Sequence, residues 1–118
     1  NLKEKKTKKT KKIITNQIIN GLKNIKNINN IIFAYEPIWA IGTGVIPKKD
    51  DLISIVIFIK KLLKKKFQVK TSKVLYGGSV NPINIQELGK INVIDGFLIG
   101  GASQSSNKFI DIIKKTFN

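Results

Sequence analysis

Three short apolar runs end in residues that could do chemistry. The run IIFAYE ends in Glu36, KVLYGG ends in a glycine pair followed by Ser79, and DGFLIGG ends in the pair Gly100 and Gly101. A carboxylate can act as a general base, and glycine pairs let backbone N–H groups approach an anion closely. Each pair precedes a predicted helix, whose N-terminus favours negative charge. Together the three ends predict a carboxylate base beside a phosphate-binding cradle.

Each of these features also has a simpler structural interpretation. A glycine pair after a strand can be only a tight turn, and a glutamate there can be a solvated residue or a helix-capping partner. Trp39 alone is explained by packing, and lysine runs such as KKLLKKK are typical of solvated helix faces. The functional interpretation is favoured because all three ends carry the expected residues at once.

The pattern of apolar residues predicts alternating helices and strands that would position these ends. Helical spacing indicates four helices. Their predicted ranges are residues 10–25, Asp50 to about Lys66, about 82–89 and about 106–117. The strands are predicted at NNIIFAYE, KVLYGG and DGFLIGG. Such alternation predicts parallel strands joined by right-handed crossovers, and hence an α/β fold. Three strands cannot close a barrel and would leave exposed edges, so we expect them to be part of something larger.

The same spacing predicts which faces of the first two helices are buried. In the first helix the predicted buried residues are Ile13, Ile14, Ile18, Ile19, Leu22 and Ile25. In the second helix they are Leu52, Ile55, Val56, Ile59 and Leu63. Acidic residues at the start of the second helix and lysines at its end complement the helix dipole.

The charge of the chain raises the possibility of a nucleic-acid partner. A net charge of +15 is typical of proteins that bind nucleic acid or anionic membranes. However, all 22 basic residues are lysine, and lysine, isoleucine and asparagine fill 57 of the 118 positions. Their codons are rich in A and T, so compositional drift explains the charge. Recognition surfaces use arginine forks and exposed stacking aromatics, neither of which is seen, and we therefore expect no nucleic-acid partner.

Missing residue types exclude several kinds of site. Without cysteine or histidine, this chain alone cannot form a disulfide, a thiolate metal site or a histidine-dependent triad. The apolar stretch over residues 52–59 is far shorter than the roughly 18 residues that cross a bilayer. We expect one cytoplasmic domain over residues 1–118 with no cofactor, metal or membrane partner. Because the chain begins with Asn1 and lacks methionine, we expect a processed or incomplete piece.

The motif AYEPIWAIGTG, residues 34–44, resembles the active-site signature of the triosephosphate isomerase family. LYGGSV and GFLIGGAS are similar to that family's next two strand ends, in the same order and at similar spacing. The similarity runs from about residue 10 to the C-terminus. It implies the C-terminal portion of a (β/α)8 TIM barrel, with about three parallel strands and four helices and without the N-terminal half of the barrel.

The resemblance implies a role for each matching residue. Glu36 matches the base that moves a proton between neighbouring carbons of dihydroxyacetone phosphate and glyceraldehyde 3-phosphate. Phosphate contacts would come from Gly42, Ser79, Gly100 and Gly101. Residues 37–47 would form a mobile lid. The residues implied in the lid or in holding it closed are Pro37, Trp39, Thr43, Gly44, Tyr76 and Ser79, the last two through hydrogen bonds to its backbone.

The chain also departs from the family pattern. Val45-Ile46-Pro47 stands where the lid usually ends in a Lys-Thr-Ala-like hinge, and Gln104 stands where an apolar residue is common. The family's electrophilic lysine and histidine and its dimer loops lie on earlier strands, so we expect a homodimer when complete and an inactive piece alone. The alternatives are a non-catalytic phosphate-binding half-barrel remnant and a basic nucleic-acid-binding module.

Overall fold

The computed structural model describes residues 8–117, and its centre is a parallel sheet of three strands. The strands are β1 (Ile32–Tyr35), β2 (Lys73–Tyr76) and β3 (Gly96–Phe97), and β2 lies between the other two. Tyr35 pairs with Tyr76, and Tyr76 pairs with Phe97. Because both pairings are parallel, the carboxyl ends of all three strands meet at one edge, as the alternation predicted.

Four helices surround this sheet in the described part of the chain: α1 (Lys9–Gly21), α2 (Lys49–Phe67), α3 (Ile85–Gly89) and α4 (Ser106–Phe117). Short 3-10 turns at Ile38–Ala40 and Gly101–Gln104 follow β1 and β3. Three parallel strands and four helices in this order confirm the predicted α/β class and are consistent with part of a TIM barrel. Within residues 8–117, no helix is both long and apolar enough to span a membrane.

Helix α2 supplies the largest part of the core. Its buried residues are Leu52, Val56, Ile59 and Leu63, as predicted, and Ile55 is half-buried. They recur every three or four residues and therefore form one stripe that packs towards the sheet. On the central strand, Val74 and Tyr76 are fully buried. Buried residues of the other three helices, among them Ile85 and Ile112, complete the same core.

The first helix is shorter in the structure than the sequence predicted, and fewer of its residues are buried. It ends at Gly21 rather than at residue 25, and Asn24 then adopts a left-handed backbone with a φ of 70°. Of the six residues predicted to be buried, Ile14 and Leu22 are buried and Ile18 is half-buried, whereas Ile13, Ile19 and Ile25 are exposed. Helix α1 contacts α2, and no described residue covers Ile13, Ile19 and Ile25 enough to bury them.

The short helix α3 begins at Ile85, three residues later than predicted. The side-chain oxygen of Asn81 accepts the N–H groups of Ile83 and Asn84, at 2.8 and 3.0 Å. Asparagine makes such local bonds readily and stabilises a turn instead of a helix. Residues 81–84 are therefore a turn that leads into the helix.

At the amino ends of the strands, Asp95 joins three elements. Its Oδ2 accepts a hydrogen bond from the Val74 N–H at 2.8 Å and lies 2.7 Å from Nζ of Lys60 on α2. The Asp95 N–H donates to the Val74 carbonyl at 3.0 Å. Partial burial opposes ionisation, but the bonds from Lys60 and Val74 outweigh it and lower the pKa of Asp95. This carboxylate therefore fastens α2 to the sheet next to β3.

Both outer edges of the sheet are bordered by exposed apolar residues. Ile32 on β1 is 59% exposed, and Phe117 at the end of α4, which shares a cavity with Gly96 and Phe97 of β3, is 84% exposed. Among residues 8–117, no further strand pairs with the outer side of β1 or of β3. Unpaired strand edges are normally covered or blunted in a folded protein.

Candidate active site

An open cavity of about 810 Å³ lies at the carboxyl ends of the strands. The residues at the ends of all three predicted strands line it, namely Glu36, Gly77, Gly78, Ser79, Gly100 and Gly101. Gly42 and Gly44 of the predicted lid line it as well. The structure thus brings together the predicted base, the predicted phosphate contacts and the tip of the lid, although they are up to 65 residues apart in sequence (36 to 101).

Glu36 follows β1 directly and lies across the end of the neighbouring strand. A Cβ atom at Gly77 would be 2.6 Å from the Glu36 Cγ and 3.0 Å from its Oε1, closer than real side chains approach. The Gly77 N–H donates to the Tyr35 carbonyl at 2.9 Å, which holds the two strand ends together. Gly77 is therefore needed to make room for the Glu36 side chain, a role that sequence reasoning missed.

The predicted lid turns sharply after Trp39. Gly42 and Gly44 have φ angles of +65° and +74°, in the left-handed region that glycine adopts without strain. Between them, the Thr43 hydroxyl donates to the Trp39 carbonyl and accepts the Val45 N–H, both at 3.1 Å. Thr43 therefore stabilises the Gly-Thr-Gly tip from within the lid. Pro37, at the first hinge, is buried and Trp39 is half-buried.

Ser79 connects the lid to the end of β2. Its hydroxyl donates to the Ala40 carbonyl at 2.5 Å and accepts the Gly44 N–H at 3.0 Å. The side chain is buried, with 9% of the residue exposed. One hydroxyl thus bridges both limbs of the lid, and the lid lies against the strand ends in this structure.

Tyr76 does not contact the lid through a hydrogen bond. It is fully buried, and no described residue offers its hydroxyl a hydrogen-bond partner. Burial, and to a smaller extent the nearby Tyr35, raises the pKa of Tyr76 to about 12, so its hydroxyl stays protonated. The hydroxyl lies against Gly78, where a Cβ atom would overlap it. The predicted bond from Tyr76 to the lid backbone is therefore not formed.

The glycine pair after β3 leads into α4 through a 3-10 turn. The Ser103 hydroxyl and N–H both donate to the Gly100 carbonyl, at 2.6 and 2.9 Å, and so fix the turn. Lys108, in the first turn of α4, lines the cavity beside Gly100 and Gly101. Sequence reasoning missed Lys108. A signal was present, because a lysine is unfavourable in the first turn of a helix.

The fold and the cavity define the class of the protein. Parallel strands alternate with helices, and the polar groups gather at the carboxyl ends of the strands, where α/β-barrel proteins have their sites. A carboxylate, a glycine-tipped loop and a glycine pair before a helix share this cavity. The chain is therefore an α/β protein of the barrel type, and its candidate site lies at the carboxyl ends of the strands.

Comparison with known proteins specifies the family. The family model described as triosephosphate isomerase matches residues 1–116. A triosephosphate isomerase from Mycoplasma mobile is 45% identical over 106 residues, and one from Dictyoglomus thermophilum is 40% identical over 116 residues. These alignments cover 90% and 94% of this chain. The chain belongs to the triosephosphate isomerase family, which confirms the resemblance predicted from its motifs.

The chain spans less than half the length of these relatives. The alignments cover 42% of the Mycoplasma mobile protein and 47% of the Dictyoglomus thermophilum protein. The same holds for a relative from Leptospira interrogans, which is 42% identical over 118 residues that make up 47% of its length. The open edges of β1 and β3 agree with these figures, because a complete barrel would cover both.

Proposed function

We propose that this chain supplies the base, the lid and the phosphate cradle of a triosephosphate isomerase. The complete enzyme would interconvert dihydroxyacetone phosphate and D-glyceraldehyde 3-phosphate, an aldose–ketose isomerisation of glycolysis and gluconeogenesis. The observation that carries the proposal is the shared cavity, which is lined by Glu36, by the lid glycines Gly42 and Gly44, and by the pair Gly100 and Gly101.

Glu36 would transfer the proton between the two carbons. Its carboxylate removes a proton from the carbon next to the carbonyl, and the electron pair of the broken C–H bond forms an enediolate. The hydroxyl proton of the enediolate moves to the former carbonyl oxygen, and return of a proton to the neighbouring carbon then gives the other triose phosphate, with no atom gained or lost. General-base catalysis by a positioned group is typically worth about 10²–10⁴ in rate. Gly77 leaves the space that the Glu36 side chain occupies, and a side chain at that position would displace it.

The lid and the glycines would bind and enclose the phosphate. Backbone N–H groups of Gly42, Gly100 and Gly101 can approach an anion closely because no side chain intervenes. Ser79 would keep the lid closed through its bonds to Ala40 and Gly44. A closed lid keeps water from the reactive intermediate, and triosephosphate isomerase is itself a standard example of this principle.

The rest of the enzyme would supply what this chain lacks. The chain has no histidine, and the resemblance implies that the electrophilic lysine and histidine lie on other strands. Without such groups, the developing negative charge on the enediolate oxygen has no preorganised partner, and this stabilisation is usually the largest catalytic contribution. We therefore propose that the chain alone is inactive, and that the complete protein is a cytoplasmic homodimer.

The test is complementation. This chain is refolded together with the part of the Mycoplasma mobile triosephosphate isomerase that its alignment leaves uncovered, and we call the product the complemented barrel. A coupled isomerase assay is run on each part, on the mixture and on a mixture with Glu36→Gln. The proposal predicts activity only in the mixture and its loss with Glu36→Gln. A folded mixture without activity would favour the non-catalytic phosphate-binding remnant instead.

A further inference from the structure

Among residues 8–117, two charged side chains line the cavity, those of Glu36 and Lys108. Lys108 lies in the first turn of α4, three residues before Asp111, and is exposed to solvent. Within residues 8–117, none of the described ion pairs involves Lys108, whereas Lys115 of the same helix pairs with Asp111 at 3.1 Å. The ammonium group of Lys108 is therefore not neutralised by a neighbouring carboxylate.

The position of Lys108 is unfavourable for the helix itself. The N-terminus of a helix carries a partial positive charge, which favours acidic residues, and α2 follows this rule with Asp50 and Asp51. The first turn of α4 has no acidic residue. Lysines also begin α1, but none of them lines this cavity. An anion in the cavity would be attracted both by the start of α4 and by Lys108, and would offset the repulsion between them.

We propose that Lys108 is a phosphate-binding residue that adds a side-chain cation to a cradle otherwise made of backbone N–H groups. This inference rests on the proposed function for the identity of the ligand, a phosphate monoester dianion. Lys108 lines the same cavity as Gly100 and Gly101, the predicted phosphate contacts, and as Ser79. The phosphate does not react, so this charge acts equally on bound substrate and transition state. Such uniform binding lowers KM and leaves kcat unchanged.

The contribution of Lys108 to phosphate affinity is expected to be modest, because its side chain is exposed to solvent. Interactions between exposed charges are weakened by water and screened by salt. We expect Lys108→Met in the complemented barrel to weaken binding of inorganic phosphate about three- to fivefold at low ionic strength. At about 1 M salt, where the Debye length is about 3 Å, we expect Lys108→Met and the wild type to bind phosphate with nearly equal affinity. Methionine keeps the unbranched shape and the helix propensity of the side chain, so the fold of α4 is preserved.

The matched control is Lys114→Met. Lys114 lies on the same helix, is exposed, and does not line the cavity, so the two variants lose the same net charge. Phosphate binding is measured in two ways on each complemented barrel, by the phosphorus NMR shift of inorganic phosphate and by its inhibition constant in the isomerase assay. A weaker affinity and a higher KM for Lys108→Met alone, with kcat unchanged, would support the proposal.

Equal phosphate affinities for Lys108→Met and Lys114→Met would overturn the proposal, because any change in affinity would then come from the loss of net charge. The two readouts also separate this inference from the proposed function. If the barrel binds phosphate more weakly with Lys108→Met but has no isomerase activity, the role of Lys108 stands and the proposed function fails. If the barrel is active and both variants bind phosphate equally, the proposed function stands and the role of Lys108 is wrong. A folded barrel that neither binds phosphate nor isomerises triose phosphates would overturn both.

Discussion

At the amino ends of the strands, Asp95 bonds to both Lys60 and Val74, whereas at the carboxyl ends Glu36 lies beside an open cavity. The first carboxylate joins α2 to the sheet. The second lines the cavity with the lid glycines. In barrel proteins, polar residues at the carboxyl ends of strands serve catalysis and those at the amino ends serve stability. We therefore expect variants at the amino ends to change stability and variants at the carboxyl ends to change activity.

A second contrast exists within the carboxyl end itself. Ser79 and Tyr76 are both buried, and both were predicted to hold the lid. Ser79 bridges Ala40 and Gly44, whereas the Tyr76 hydroxyl has no partner among the described residues. Of these two buried hydroxyls, only that of Ser79 is hydrogen-bonded to the lid in this structure.

The largest effect is expected from Gly77→Ala. The added Cβ atom would overlap the Glu36 side chain and displace the carboxylate. A displacement of about 1 Å can lower the rate of an enzyme by about 10²-fold, so kcat of the complemented barrel should fall by that order. The control is Gly89→Ala, where a Cβ atom would meet nothing within 4 Å. Equal activities for the two alanine variants would show that Gly77 does not position the base.

A smaller effect is expected from Ser79→Ala. The variant removes both bonds that hold the lid and leaves the Ala40 carbonyl and the Gly44 N–H without that partner. Each hydrogen bond is worth about 0.5–1.5 kcal/mol, so kcat/KM should fall about tenfold or more. The measurement is steady-state kinetics of the complemented barrel. Unchanged kcat/KM would mean that the lid closes without this hydroxyl.

Asp95→Asn should change stability and leave activity intact. Losing one charged hydrogen-bonded group that is partly exposed should lower the free energy of unfolding by about 1 kcal/mol. The pKa of Asp95 is lowered in the fold, so its stabilisation is present above its unfolded pKa, near 3.8, and is lost as pH falls through the lower folded value. The variant should therefore lose less stability than the wild type on acidification.

Urea unfolding of the complemented barrel between pH 2 and pH 7 would measure both effects. The matched control is Asp111→Asn, which breaks the surface pair with Lys115 and should change stability by less than about 0.5 kcal/mol. A loss of kcat with Asp95→Asn, at unchanged stability, would contradict the separation of the two ends.

The smallest effect is expected from Tyr76→Phe. The removed hydroxyl has no hydrogen-bond partner among the described residues, so its loss leaves no other group unsatisfied. We expect kcat/KM within about twofold of the wild type and equal or slightly higher stability. A tenfold loss of kcat/KM, similar to that of Ser79→Ala, would mean that Tyr76 contacts the lid after all.

The sequence was sufficient to predict the order of elements and the meeting of the strand ends. Apolar runs such as IIFAYE are local signals, and parallel pairing then brings Glu36, Ser79 and Gly100 to one edge. The exposed faces of Ile13 and Ile19 could not be predicted, because burial depends on which neighbours cover a helix. The fit of Glu36 against Gly77 was missed for a similar reason, since a steric contact between residues 41 positions apart (36 to 77) leaves no local pattern.

The most direct test of the account is isomerisation by the complemented barrel in deuterated water. A carboxylate base exchanges its proton with solvent, so the account predicts that the product carries deuterium on the carbon that receives the proton, detectable by proton NMR. A complemented barrel with Glu36→Gln, shown by circular dichroism to be folded, should yield little product and no such label. Labelled product formed at an unchanged rate by Glu36→Gln would contradict the role of Glu36 as the base.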